Sequence, residues 1–187
     1  KTKLIILSHI MYATGLMVPI AEINRMAHRH GVKVLVDGAQ TMGQIAIDVK
    51  GWDADYYAVP GHKWMLGPWG MGALYVRREL LGDLVPVEVA GKAAESFDAF
   101  GHYEPKRDAP EKFELTTSSN PLLAGAMAAM DLLQSIGMTN VQARWGELTE
   151  RLRQGLNDVP GAAVVSPAAG PTACGLVCLD RKSTRLN

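Results

Sequence analysis

Two short apolar runs, each followed by turn residues and a chemically reactive side chain, most constrain the fold of this chain. Residues 32–36, VKVLV, are rich in β-branched side chains and lead into Asp37 and a glycine. Residues 54–59, ADYYAV, stop at a Pro-Gly pair that is followed by His62 and Lys63. Short runs of this composition between turn residues are typical of buried strands. The sequence therefore predicts two strands, with Asp37 and Lys63 just beyond their carboxyl ends.

Asp37 and Lys63 are far enough apart in sequence for one crossover between parallel strands. In an open α/β sheet the carboxyl ends of such strands face a common crevice, so both residues can contact one ligand. A lysine there can form a Schiff base, and a carboxylate can pair with a protonated pyridine nitrogen. This spacing favours pyridoxal phosphate. It also leaves open a turn-capping aspartate and a solvated lysine.

Four segments carry a resemblance to a known family. In chain order they are SHIMYATG (8–15), LVDGAQ (35–40), ADYYAVPGHKW (54–64) and GMGALYVRRELL (70–81). Together they resemble the fold-type I, class V aminotransferases, and within these the branch of cysteine desulfurases, selenocysteine lyases and isopenicillin N epimerase-like enzymes. The resemblance extends from about Lys3 to Leu133.

The resemblance implies an α/β fold with two parts. Residues 1–137 would form a three-layer, pyridoxal-phosphate-binding large domain with a mostly parallel central sheet. The chain does not begin with Met, and the apolar run 4–7 follows almost at once. We therefore expect this domain to be truncated at its N-terminus. Residues 138–180 would begin a small α+β C-terminal domain. The polar residues 181–187 differ from the family and are expected to be a non-native or disordered tail.

The resemblance also implies a role for each of five residues. Lys63 would hold pyridoxal 5'-phosphate as a Schiff base and then carry the α-proton of the substrate. Asp37 would pair with the ring nitrogen, Gln40 with the ring oxygen, and His62 with the phosphate. Thr117 would reach the phosphate in the partner subunit, which implies a homodimer with shared active sites. No metal ligand is expected.

The implied function is a pyridoxal-phosphate-dependent reaction at the α-carbon of an amino acid, of the aminotransferase or epimerase type. Cysteine desulfurase or selenocysteine lyase activity is the alternative. Tyr12 stands where many relatives have Asn, and Pro60 where they often have Ser, which leaves open an inactive relative that serves as an assembly subunit. A plain α/β binding domain with a coincidental lysine is a further alternative. The resemblance places the desulfurase nucleophile beyond residue 187, so we expect Cys174 and Cys178 to be small core residues.

Composition excludes several other classes. The charges of the 19 basic and 19 acidic residues cancel, so the composition gives no electrostatic indication of a nucleic-acid or membrane-surface partner. No apolar run approaches the roughly 18 residues of a membrane helix, and no charged-then-apolar start resembles a signal peptide. A cytoplasmic location is therefore expected.

Periodicity predicts the remaining elements. We expect a strand at 4–7, a buried strand at 73–76 and a further strand at 175–179. Helical spacing predicts helices over 20–30, 121–137 and 139–157, the second apolar on all sides and therefore buried between layers. Residues 82–112 have no clear period, which predicts a long loop.

Overall fold

The computed structural model describes residues 1–114 and 117–181. Its centre is a four-stranded sheet in the order β1-β2-β3-β4. The first three strands are parallel, and β4 is antiparallel to β3. The strands are β1 (Leu4–Ser8), β2 (Lys33–Asp37), β3 (Tyr56–Pro60) and β4 (Gly72–Val76).

The register of the parallel strands brings their carboxyl ends to one edge of the sheet. Ser8 of β1 pairs with Asp37 of β2, and Asp37 pairs with Ala58 of β3. Helix α1 (Ile20–Arg29) is the crossover that connects β1 to β2. The predicted mostly parallel arrangement is therefore confirmed.

The main core lies between α1 and the sheet. Helix α1 buries Ile20, Asn24 and Ala27, which recur at the spacing of one helical face. Val34 and Val36 alternate along β2 and are fully buried against this helix. Burial of each such side chain contributes about 1.5–3 kcal/mol. The β-branched residues that predict strand β2 thus also determine which face of the strand packs against α1.

The remaining elements are mostly short. Residues Arg78–Asp83, Gly91–Ala93 and Pro110–Phe113 form 3₁₀ helices. Two antiparallel two-stranded sheets follow, β5 (Ala94–Phe97) with β6 (Tyr103–Pro105), and β7 (Ala162–Val164) with β8 (Leu179–Arg181).

Helices α2 (Asn120–Ile136) and α3 (Met138–Asn157) form a bent pair. The chain turns between them at Gly137, whose φ of +84° suits glycine. Among the described residues no single helix is long and apolar enough to cross a membrane. Only α2 and α3 taken together meet that length and composition, and they are bent by 79°.

Two predictions of burial are wrong. Strand β4 has an exposed first half, with Leu74 54% exposed, because it is the edge strand of the described sheet. Helix α2 buries only Ala126, Ala129 and Leu133. Its apolar composition does not translate into burial because, within the described residues, its packing partners cover one stripe of the helix.

Two predictions of secondary structure also need correction. The predicted loop 82–112 contains the β5-β6 hairpin and the 3₁₀ helix Gly91–Ala93, and two further 3₁₀ helices overlap its ends. The strand expected at 175–179 begins only at Leu179, because the preceding residues bond elsewhere. Gly175 donates its N–H to Gln44 Oε1, and Cys178 donates its N–H to Ser166 Oγ. Of the predicted tail, Arg181 ends β8, and residues 182–187 lie outside the described residues.

Candidate active site

Asp37 is the last residue of β2, and its carboxylate is exposed at the carboxyl edge of the sheet. The Ser8 hydroxyl donates to Oδ2 at 3.3 Å, and the Ala39 N–H donates to Oδ1 at 2.8 Å. Both donors are neutral, and a carboxylate has about four acceptor positions. Asp37 therefore keeps acceptor capacity for a cationic or N–H-bearing ligand.

The loop after β2 packs directly on the loop after β3. Gly43 has a φ of +88°, and a Cβ built on it would lie 2.1 Å from the Trp64 carbonyl oxygen, so only glycine fits there. The Trp64 indole N–H donates to Gln40 Oε1 at 2.8 Å. These contacts bring Gln40 next to Trp64, which directly follows Lys63 in the sequence.

Lys63 lies in a loop that is closed on itself. The Gly61 N–H donates to the Met71 carbonyl at 2.7 Å, and the Gly67 N–H donates to the Gly61 carbonyl at 2.8 Å. Lys63 is exposed within this loop, three residues after the end of β3. The closed loop holds the backbone of Lys63 in place, and the residue itself is exposed.

His62 precedes Lys63 and stacks on Trp69. The two ring centroids are 5.1 Å apart, and the ring planes differ by 19°. Stacking engages one face of the imidazole and leaves its nitrogens at the ring edge. His62 is exposed, so these nitrogens can bind an anionic group.

A buried network of neutral groups supports the loop that carries Gln40. The Thr41 hydroxyl donates to the Gly38 carbonyl at 2.8 Å and lies 2.7 Å from the Tyr57 hydroxyl. His9 Nδ1 lies 2.8 Å from the same Tyr57 hydroxyl. Because the Thr41 hydrogen is already used, Tyr57 donates to Thr41 and His9 Nδ1–H donates to Tyr57.

Burial shifts the titration of this network. His9 is 4% exposed, and burial lowers its pKa from 6.5 to about 4. The pKa of Tyr57 is raised, first by burial and also by the negative charge of Asp37. Both side chains are therefore uncharged near neutral pH, and the network is a rigid support.

Thr117 lines a cavity of about 510 Å³, to which the other four predicted site residues do not contribute. Thr117 is exposed just before α2, and Gly125 of α2 lies close to the Pro68 ring. The structure thus brings Asp37, Gln40, His62 and Lys63 to one sheet edge, whereas Thr117 faces this cavity. The cavity is lined by Ala90, Gly91, Lys92, Glu114, Thr117, Ser118 and Asn120.

The thiols of both cysteines donate hydrogen bonds to the loop after β1. Cys174 is buried, and its thiol donates to the Gly15 carbonyl at 3.1 Å. Burial raises the pKa of this thiol, which keeps it protonated. The half-buried Cys178 thiol donates to the carbonyl of Tyr12 at 3.6 Å, while the Tyr12 side chain is 79% exposed. The prediction that Cys174 is a core residue is confirmed.

Comparison with known proteins places the chain in a family. The class-V aminotransferase model matches residues 1–184. The chain belongs to the class-V aminotransferase family. The resemblance stated from the sequence is therefore confirmed.

Relatives of this class-V aminotransferase chain include proteins named cysteine desulfurases. A probable cysteine desulfurase of Halalkalibacterium halodurans is 37% identical over 171 residues, which is 89% of this chain and 40% of the relative. The cysteine desulfurase of Haloferax volcanii is 36% identical over 185 residues, 98% of this chain and 42% of the relative. The chain thus spans about two fifths of the length of these relatives.

Solved structures confirm the predicted α/β fold class. The cystine C-S lyase C-DES, in complex with its reaction product cysteine persulfide, has a TM-score of 0.87 at 36% identity, covering 98% of this chain and 49% of C-DES. The apo cysteine desulfurase of Thermococcus onnurineus NA1 has the same TM-score at 28% identity, covering 95% of this chain and 44% of that one. This class-V aminotransferase chain therefore has the fold-type I architecture of the pyridoxal-phosphate enzymes.

Several supporting residues of this class-V aminotransferase site are absent from the sequence-based predictions. Ser8 could have been found, because the end of β1 is paired with the end of β2. The sequence predicts a strand at Tyr57 but no role for its hydroxyl, although every second residue of a strand faces the same way. Nothing in the sequence indicated that the Trp64 indole bonds Gln40.

Proposed function

We propose that this chain forms the pyridoxal-phosphate-binding part of an enzyme that acts at the α-carbon of an amino acid. One observation carries the proposal: an exposed carboxylate ends β2 and an exposed amine follows β3, on adjacent parallel strands. Family membership supports it, as does a structure of a C-DES lysine-to-alanine mutant with glycine covalently linked to its pyridoxal-phosphate cofactor.

The residues at this edge fit the functional groups of the cofactor. Pyridoxal phosphate has an aldehyde, a basic ring nitrogen, a ring oxygen and a phosphate. The exposed amine of Lys63 suits the aldehyde, and Asp37 has acceptor capacity for a protonated ring nitrogen. Gln40 supplies an amide N–H₂ for the ring oxygen, and His62 supplies ring-edge N–H for the phosphate. The set therefore offers one matching partner for each group.

In the proposed mechanism the cofactor, when bound, would supply an electron sink for the substrate α-carbon. Lys63 would hold the cofactor through its amine, and once the substrate amine has taken that place Lys63 Nζ would accept and return the α-proton. Asp37 would keep the ring nitrogen protonated, while Gln40 and His62 would fix the orientation of the cofactor. The hydrogen bonds that close the loop after β3 would hold the backbone of Lys63 in place while its side chain moves.

Between the two reaction types that the sequence leaves open, the relatives favour chemistry on a sulfur-containing amino acid. The named relatives are cysteine desulfurases, and the product in the C-DES complex is cysteine persulfide. We therefore propose cysteine or cystine as the substrate class, ahead of an aminotransferase or epimerase reaction. Release of sulfide or persulfide from cysteine and cystine, compared with racemisation of alanine, distinguishes the two readings.

We further propose that the enzyme is a homodimer in which Thr117 binds the cofactor phosphate of the partner subunit. Its position in a separate cavity before α2 supports this role. A full-length Lys63→Ala protein mixed with a full-length Thr117→Asp protein tests it. Heterodimers then contain one site with both residues intact, so part of the activity should return. Absence of recovery despite proven subunit exchange would contradict the shared site.

A cytoplasmic location stays a prediction.

The cofactor link itself is tested with the full-length protein. After incubation with pyridoxal phosphate and reduction by borohydride, peptide mapping should find the adduct on Lys63. The Lys63→Ala variant should lose this adduct, while Lys50→Ala, which removes another exposed lysine, should keep it. An adduct on a different lysine, or no visible absorption band with wild type, would contradict the proposal and favour an inactive assembly subunit or a plain binding domain.

A further inference from the structure

We propose that Trp64 is a positioning residue that fixes the orientation of the Gln40 amide, and this inference rests on the proposed pyridoxal-phosphate function. The Trp64 indole N–H donates to Gln40 Oε1 at 2.8 Å, in a partly buried position. Trp64 is the chain neighbour of Lys63, so the contact lies inside the candidate active site.

The chemistry of the indole makes this orientation unambiguous. A glutamine amide has an acceptor end and a donor end that can exchange by a half-turn, and the two orientations are distinguished only by their partners. An indole N–H can only donate, so it must contact the oxygen of Gln40. The amide N–H₂ of Gln40 is therefore presented away from Trp64. An anionic ring oxygen of a bound cofactor needs a donor of this kind.

The backbone of Gln40 is held as well as its side chain. Gln44 is fully buried, and its Nε2 donates to the Gln40 carbonyl at 2.9 Å. Gln44 is fixed in turn, because its Oε1 accepts from the Gly175 N–H at 2.6 Å and its carbonyl accepts from Trp145 Nε1 at 2.7 Å. With the main chain held, rotation of the side chain is the remaining freedom of Gln40, and Trp64 removes it.

The first test measures pyridoxal-phosphate affinity by absorption titration of the full-length protein. Trp64→Phe keeps an aromatic ring but removes the N–H donor, so we expect the Kd to rise about 2- to 10-fold, which corresponds to the loss of one hydrogen bond. In a Gln40→Ala background the same substitution should have no further effect, because Trp64 acts through Gln40. Equal effects in both backgrounds would overturn the proposal. Trp52→Phe, which alters an indole packed on His9, serves as the matched control.

A second variant keeps the test decisive if Trp64→Phe does not fold. Gln40→Glu retains an oxygen for the Trp64 N–H but replaces the amide donor with an acceptor. We expect its Kd to rise at least as much as that of Trp64→Phe. An unchanged Kd in Gln40→Glu would show that the donor end of Gln40 has no role, and would overturn the proposal.

A readout that requires no cofactor separates this inference from the proposed function. In ¹⁵N-labelled apoprotein the indole N–H resonance of Trp64, identified by its loss in Trp64→Phe, should shift in Gln40→Ala. The indole resonances of the other three tryptophans should stay in place. An unchanged Trp64 resonance would overturn the positioning role alone. Absence of pyridoxal-phosphate binding by the wild-type protein would overturn the proposed function and this inference with it.

Discussion

Two aspartates at opposite ends of the neighbouring strands β2 and β3 show how position sets the role of a carboxylate. Asp55 lies just before β3 and is 0% exposed, whereas Asp37 ends β2 and is exposed. Both lie near the parallel pair of strands β2 and β3, in which Asp37 pairs with Ala58. The difference lies in the partners that surround each carboxylate.

Asp55 is surrounded by partners from three other elements. Its Oδ2 accepts from the Val34 N–H at 2.9 Å and lies 2.8 Å from His28 Nε2, while its Oδ1 faces Arg77 Nε at 3.5 Å. His28 lies on α1, Val34 on β2, and Arg77 just after β4. A buried carboxylate of this kind requires such partners, because an unpaired charge in the interior is strongly destabilising. Asp55 therefore connects these elements structurally.

Asp37 has only two neutral donors and is open to solvent. Natural sheets place functional groups at the carboxyl edge, where a ligand completes their hydrogen bonding. The comparison thus separates a carboxylate that stabilises the fold from one that is available to a ligand. Each of the following substitutions tests one side of this separation.

The largest expected effect is on stability at Asp55. Asp55→Ala removes one partner of a buried charged network and should reduce the free energy of unfolding by about 3–5 kcal/mol. Asp37→Ala, the matched substitution at the exposed end, should change it by about 1 kcal/mol or less. Urea denaturation of both variants measures the difference. Similar losses at the two positions would show that the distinction between them is wrong.

The second effect concerns His9, which supports the loop after Asp37. Because its folded pKa of about 4 is below the unfolded value of 6.5, the unfolded state takes up the proton first as the pH falls. The stability associated with neutral His9 is complete above pH 6.5 and is lost as the pH falls from 6.5 to about 4. Over this range each pH unit lowers the free energy of unfolding by about 1.4 kcal/mol, so the total loss is about 3 kcal/mol.

Denaturation of wild type and His9→Gln between pH 7 and 4 measures this loss. The glutamine variant keeps a neutral donor toward Tyr57 but cannot titrate, so its stability should fall less steeply with acid. Parallel pH profiles for the two proteins would contradict a buried neutral His9.

The smallest expected effect is at Ser8. Its hydroxyl bond to Asp37 is long and exposed, at 3.3 Å. Ser8→Ala should therefore change the free energy of unfolding by less than about 0.5 kcal/mol. A loss several times larger would mean that Asp37 is held by the protein as firmly as Asp55, and it would weaken the assignment of Asp37 to a ligand.

Sequence reasoning found the local features of the fold. The β-branched run before Asp37 and the helical spacing from Ile20 predicted β2 and α1 because burial repeats with the period of each element. Asp37 and Lys63 could be assigned to the sheet edge because turn residues end both strands. Gln40 and His62 needed the family resemblance, since loop residues have no periodic signal.

The remaining features depend on contacts between distant parts of the chain. The Asp55 network requires α1, β2 and the end of β4 to meet, and no local pattern specifies such a meeting. The exposure of Leu74 and of most of α2 depends on which elements cover them, while composition reports only apolar character. The β5-β6 hairpin was missed because its strands are short and largely exposed. The domain boundary near Gly137 stays a prediction.

The central claim, that Asp37 supports chemistry at the α-carbon, is tested most directly by exchange of the α-proton of L-alanine in deuterated water. Alanine has no leaving group on its β-carbon, so the readout is proton transfer alone. In the full-length protein, Asp37→Asn should keep the cofactor bound and slow exchange about 10²- to 10³-fold, as expected when an electrostatic partner of the reacting system is lost. Asp55→Asn, compared per bound cofactor, should exchange at close to the wild-type rate. A near-normal rate in Asp37→Asn would contradict the account and make Asp37 a structural residue.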